Sequence, residues 1–185
     1  MKSSMKYFLI MIIPLVVLLT RPITPLVVLT FGQEVKLATE PFDPRDYFRG
    51  DYVELSFEIE NINTDIISPN LLSKLKNLNI RDVFSPSAER NERIDVYASL
   101  KPDTSGIYNV TYVSDKPPED ELYIHGKIIH TGNTIRINYG NNLSRFYVKE
   151  NTGLELEEAA RRGKIHALAR VWKGRIVLDT IEKIE

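Results

Sequence analysis

Residues Tyr7–Phe31 hold a single charge, Arg21, in 25 positions otherwise filled almost entirely by Leu, Val, Ile and other apolar or small residues. Few folds accept such a segment. The uninterrupted apolar run Tyr7–Thr20 spans only about 21 Å as a helix, short of the roughly 30 Å hydrocarbon core of a bilayer. Carried through to Phe31 the helix reaches about 37 Å, enough to cross with tilt. Arg21 then costs ~3 kcal/mol near the bilayer centre, less if its guanidinium snorkels, and the surrounding Leu, Ile and Val outweigh it. The flank before the segment carries Lys2 and Lys6 and no acid, whereas Glu34, Lys36 and Glu40 follow it. The positive-inside rule puts the N-terminus in the cytoplasm and the rest outside.

A cleaved signal peptide is the alternative. Residues 26–36 read LVVLTFGQEVK and offer no small-x-small cleavage site, and without cysteine there is no lipoprotein-type site. The expectation is an uncleaved anchor, residues 1–31, ahead of an exported domain, residues 32–185. The location is the cytoplasmic membrane, crossed once; secretion after cleavage is the other outcome. Removing Lys2, Lys6 and Arg21 leaves the exported part with 21 basic against 25 acidic side chains. That balance excludes a dedicated nucleic-acid binder. The lack of cysteine excludes a disulfide scaffold or a thiolate metal site.

The exported part reads as strands. In Tyr52–Glu60, Val53, Leu55, Phe57 and Ile59 alternate with Glu54, Ser56, Glu58 and Glu60, the pattern of a half-buried strand with an acidic outer face. Ile94–Leu100 and Tyr108–Tyr112 form a hairpin about Pro102–Gly106. Leu122–His130 and Thr134–Tyr139 form a second about Thr131-Gly132-Asn133. Ile165–Trp172 turns at Lys173-Gly174 into Arg175–Asp179, and Gln33–Thr39 is a weaker first strand. Two short helices interrupt them. One follows Ser68-Pro69 with a Leu71, Leu72, Leu75, Leu78 stripe, and the other is Gly153–Arg162, acidic early and basic late. The fold class expected is mainly β: a β-sandwich or partly open β-barrel with two short helices, preceded by one N-terminal transmembrane helix.

Chemistry is sparse. No nucleotide-binding loop, zinc-protease or nucleophile-elbow motif occurs, so no cofactor and no metal is implied. His125 and His130 are five apart and face opposite ways on a strand unless a bulge at Gly126 intervenes. Ser73–Lys76 has SxxK spacing without its companion motifs, and its lysines read as a solvated helix face. Arg49-Gly50-Asp51 matches a cell-adhesion tripeptide, but it runs into a strand and reads as turn chemistry. Asn109 and Asn142 begin glycosylation sequons. The most informative stretch is Glu40–Tyr52. Asp43-Pro44 starts a turn, and Arg45, Asp46, Arg49 and Asp51 alternate in sign. Gly50 supplies freedom in φ before the strand. This is a charge-locked loop or a recognition surface in which Arg45 and Arg49 present planar donors to a carboxylate or phosphate.

Gly50-Asp51-Tyr52-Val53-Glu54-Leu55-Ser56-Phe57 resembles the signature of the GDYxxLxY-motif family of bacterial membrane-anchored proteins, with Phe57 in place of the final Tyr. Asp43-Pro44-Arg45-Asp46, Phe48-Arg49, Tyr139-Gly140 and Arg145–Gly153 resemble it too. In the last of these the family text runs closer to YGIERYFVPEGTG. Lys149 stands where Pro is common and Asn151 where Gly is common. The resemblance covers most of residues 33–180. It implies an accessory partner of a multispanning membrane protein and carries no activity. The expected function is therefore a non-catalytic binding module, held to the bilayer by residues 7–31. Its contact residues are Arg45, Asp46, Arg49, Gly50, Asp51, Tyr52, Arg145 and Tyr147. The runner-up is an envelope hydrolase using Asp46 or Asp51 with a histidine.

Overall fold

A computed structural model describes residues 3–40, 52–77, 94–131, 134–147 and 165–183. The apolar leader is helical, as its composition dictates, in two pieces: α1 (Ser3–Thr20) and α2 (Ile23–Phe31). They are separated by a two-residue turn at Arg21-Pro22. Pro22 keeps a helical φ of −76° and its carbonyl still accepts from Leu26 N. The stretch Ile10–Phe31 is long and apolar enough to cross a membrane, and very little of it is buried in the protein.

The rest is strands: β1 (Gln33–Glu40), β2 (Tyr52–Glu54), β3 (Ser56–Phe57), β4 (Asn61–Asn63), β5 (Asp95–Pro102), β6 (Tyr108–Ser114), β7 (Tyr123–Thr131), β8 (Thr134–Asn138), β9 (Arg145–Tyr147), β10 (Ile165–Trp172) and β11 (Arg175–Lys183). They build a four-stranded sheet in the order β11-β10-β1-β3, a five-stranded sheet in the order β4-β8-β7-β5-β6, and the pair β2-β9. Neighbours within each sheet are antiparallel. Isolated bridges Lys36–Ile107 and Ile124–Gly174 stitch the two larger sheets together. The inward residues of both, including Val35, Leu37, Ala167, Ala169, Val96, Ala98, Ile124 and Ile137, share one core. This is the expected β-rich body, two sheets partly closed on each other. All three expected hairpins form.

Three local expectations change. The run Tyr52–Glu60 is not one strand. It breaks at Leu55, and a 3-10 turn at Glu58–Glu60 precedes β4. Each piece serves a different partner: β2 joins β9, β3 joins β1, and β4 joins β8. Its expected acidic outer face is therefore not uniform, and Ser56 and Glu60 are buried. The physical signal is a phase slip. Ile59 and Ile62 are three apart, and a continuous strand cannot put both inside. Second, the bulge of β7 lies between Ile128 and His130, not at Gly126. Gly126 has a different reason: a Cβ there would stand 2.5 Å from Ile137 Cγ2 and 2.8 Å from Tyr139 Cδ1, so only glycine lets the Tyr139 ring down onto the sheet. Third, a helical turn, Asn141–Ser144, places Leu143 in the core.

Helix α3 (Pro69–Asn77) starts where Ser68-Pro69 predicts. Ser68 Oγ accepts from Leu71 N at 3.3 Å, and its carbonyl accepts from Leu72 N at 3.0 Å. Leu71 is wholly buried. Replacing Ser68 with Ala is expected to cost about 1 kcal/mol, read from chemical denaturation, because a buried amide loses its acceptor. The second expected helix, Gly153–Arg162, lies outside the described residues, as does Leu78.

Candidate functional site

Of the residues expected to make contact, Arg45, Asp46, Arg49, Gly50 and Asp51 lie outside the described residues. Both ends of their loop are placed. It leaves β1 at Glu40 and re-enters at Tyr52. There the structure joins what the sequence kept apart: β2 and β9 pair antiparallel with Tyr52 opposite Tyr147, Val53 opposite Phe146 and Glu54 opposite Arg145. Leu55 N continues the contact by donating to Ser144 O at 2.9 Å. The two candidate segments, roughly ninety residues apart in sequence, thus meet in one ribbon.

Beneath the loop's first end lies a polar junction that the alternation pattern hid. Glu40, the last residue of β1, accepts two bonds from Asn61 Nδ2, at 2.8 and 2.9 Å. Glu60, in the 3-10 turn, has only 8% of its surface exposed. Arg136 on β8 donates to its Oε2 from Nη2 at 3.1 Å. Ser56 Oγ lies 3.4 Å from both the Arg136 Nη2 and the Glu60 Oε2 atoms. Burial raises the Glu60 pKa above its ordinary value; Arg136, as hydrogen-bond donor and as charge, and Ser56 pull it back, while the Glu40 charge adds to the rise. Tyr139 donates its hydroxyl to Ile59 O at 2.9 Å. Burial, then the Glu60 charge, pushes that phenol far above its usual range, so it stays protonated. Thr39 Oγ1 closes the group by donating to Ile165 O at 2.9 Å. The junction thus fixes the chain on both sides of the loop to β8 and β10. Its Ser56 hydroxyl faces a carboxylate already held by a guanidinium, an arrangement that staples strands together.

The signature itself can now be placed. Leu55 and Phe57 are core residues, with Phe57 wholly buried opposite Thr39, and Ser56 belongs to the polar junction. A family model described as GDYXXLXY protein matches residues 14–181. The chain belongs to the GDYXXLXY family. No curated protein and no solved structure matches it significantly. In this GDYXXLXY protein the second half of the motif is structural. Leu55 and Phe57 enter the core, and the loss of the final tyrosine hydroxyl in Phe57 suits a wholly buried position.

The histidines are dispersed. His125 Nε2 lies 3.0 Å from Asp95 Oδ1, with Lys127 Nζ 3.6 Å from the same oxygen, on an exposed part of β5 and β7. Tyr97 packs against both His125 and Tyr123. His166 has its Nδ1 buried without a partner among the described residues, and burial, with Lys36 near, lowers its pKa so that it is neutral at pH 7. Among the described residues no three His, Asp or Glu side chains converge as a metal site would require. Ser73 of the SxxK stretch donates to Pro69 O, and Lys74 pairs with Asp115; both act as helix-surface residues.

Proposed function

We propose that this GDYXXLXY protein is a non-catalytic module anchored by its leader, with the N-terminus in the cytoplasm and the body outside, that binds a multispanning membrane protein. The contact surface is the 43–51 loop together with the 145–153 segment. The observation that carries the reading is the β2–β9 ribbon, which gathers Tyr52, Arg145 and Tyr147 at the root of the loop bearing Arg45, Asp46, Arg49, Gly50 and Asp51. Strands that rigidly fix both ends of a charge-rich loop are a usual way to present a recognition surface. The leader supports the anchor. Among the described residues every large apolar side chain that is strongly exposed belongs to Tyr7–Phe31, apart from Tyr112, which is the surface of a helix meant for lipid or for other helices.

The test is affinity purification from solubilised membranes. The protein carrying Arg45→Glu and Arg49→Glu is expected to lose its co-purifying membrane partner while remaining in the membrane pellet. Full retention of the partner by that variant would remove the loop from the interface. Degradation of the body by protease added to spheroplasts checks the orientation, and an intact N-terminus on the mature chain excludes the secreted form. The hydrolase reading has no specific observation in its favour: Asp46 and Asp51 lie outside the described residues, and His125 is engaged by Asp95.

A further inference from the structure

The leader does not simply enter the body; it lies against it. Helix α2 touches β10 and β11, and its Val28 is wholly buried. Val28 and Val177 are both buried yet stand apart from the main core. Val177 is opposite Arg170, on the half-buried face that β10 turns away from the core through His166, Leu168, Arg170 and Trp172. Gly32 completes the joint, since a Cβ there would stand 3.0 Å from Arg170 Cβ and 3.2 Å from Val171 N. Helix α2 therefore lies over the outer face of β10 and β11, the edge half of the four-stranded sheet. Its opposite side is apolar as well, with Ile23, Leu26 and Phe31 all more than half exposed. A helix apolar all round belongs in an apolar setting on both sides. With the leader embedded, α2 is a spacer about 10–12 Å thick between lipid and sheet.

The edge of the sheet beside this spacer has a distinctive composition. Gln33, next after Gly32, is paired with Val171. Trp172 follows on the outer face, then the turn Lys173-Gly174 and the exposed Arg175. No acid occurs from Trp172 to Leu178, and Asp179 and Glu34 are both bound by Arg170. Lys173 Nζ lies 4.8 Å from the centre of the Trp172 ring. Lys173 has a φ of 47°, the only positive φ outside glycine among the described residues, at a turn position where Asn, Asp or Gly is the easier choice. Tyr108 adds a second aromatic at this edge, its hydroxyl accepting from Gln33 Nε2 at 3.2 Å. Trp and Tyr beside Lys and Arg are the residues that settle at the level of lipid headgroups.

We propose that the Trp172–Arg175 turn docks on the outer leaflet, with the Trp172 ring at the interface and Lys173 and Arg175 on the phosphates of anionic phospholipid. The body then rests on the bilayer instead of standing off on a stalk. This rests on the embedded-leader reading, and one experiment separates the two. Trp172 is the single tryptophan of the chain, so its fluorescence reports this turn without labelling. The full-length protein is reconstituted into phosphatidylethanolamine–phosphatidylglycerol vesicles and scored by flotation and by Trp emission. The lipids are unmodified, brominated near the headgroup end of the acyl chain, or brominated near its terminus. The expected result is flotation in all three, with emission lowered about twofold by the shallow bromines and less by the deep ones, the depth profile of an interfacial ring. The Lys173→Glu, Arg175→Glu double variant is expected to float equally and lose most of the quenching. Flotation with emission unaffected by bromine overturns the docking and leaves the anchor standing. Quenching unchanged in the double variant overturns the phosphate contacts. Failure to float overturns the anchor and the docking with it.

Discussion

Phe57→Ala is expected to lower the folding stability of the full-length protein in detergent by about 3–5 kcal/mol, the cost of emptying an aromatic core site. Phe57 is wholly buried and the largest such side chain among the described residues. Its strand is only two residues long and is held by Thr39 and Glu40, so little backbone bonding remains once the ring is gone. The ring also anchors the start of the polar junction, with Ser56 before it and Glu60 three residues after. Phe57→Tyr, which restores the family's usual residue, is expected to cost less than Ala, because it adds only one hydroxyl to an apolar site, about 1–3 kcal/mol without a partner. A shift in denaturation midpoint equivalent to less than 1 kcal/mol for Phe57→Ala would show that the core does not depend on this ring.

Arg136→Met is expected to cost about 1.5–3 kcal/mol at neutral pH, as befits a charge-assisted bond to a buried carboxylate. Glu60 loses its cation and keeps only Ser56. The effect depends on pH with a definite sign. Burial holds the Glu60 pKa in the folded chain above its ordinary 4.5, so between those two values the native state binds more proton than the unfolded one. Stability therefore falls as pH rises from about 4.5 through the folded pKa, and the full penalty is present above it. Arg136→Met raises the folded pKa further and stretches that decline towards neutrality. Glu60→Gln removes the charge and is expected to flatten this part of the profile. The double variant is expected to recover most of the loss, since the half-exposed Arg136 can be dispensed with once no carboxylate is buried. Urea denaturation across pH checks all three. A flat profile for Arg136→Met would contradict the burial of the carboxylate.

The long strands were legible because each alternates cleanly with a turn at its end. Ile165–Trp172 and Arg175–Asp179 about Lys173-Gly174 are the plainest case, and Ser68-Pro69 marked its helix equally well. The leader was legible from composition alone, although the turn at Arg21-Pro22 was not placed. What escaped was the stretch where alternation and geometry part company. Tyr52–Glu60 reads as one strand because its apolar residues keep step as far as Ile59, and only the three-residue gap to Ile62 betrays the break. Glu60 looked solvated for the same reason. Its partner Arg136 is 76 residues away, a distance at which no local pattern speaks. The β2–β9 ribbon escaped because three residues are too few to show a period. Both halves nonetheless carry text that resembles the family's, Gly50–Phe57 in one and Arg145–Gly153 in the other.

Strand β1 has a chain neighbour of a different kind at each end: Phe31 and the leader before it, the 41–51 loop after it. Eight residues of extended chain separate the two by about 26 Å. With the leader in the bilayer, the strand sets a reach. A channel or transporter that held both the leader and the loop would therefore need two contact sites about that far apart.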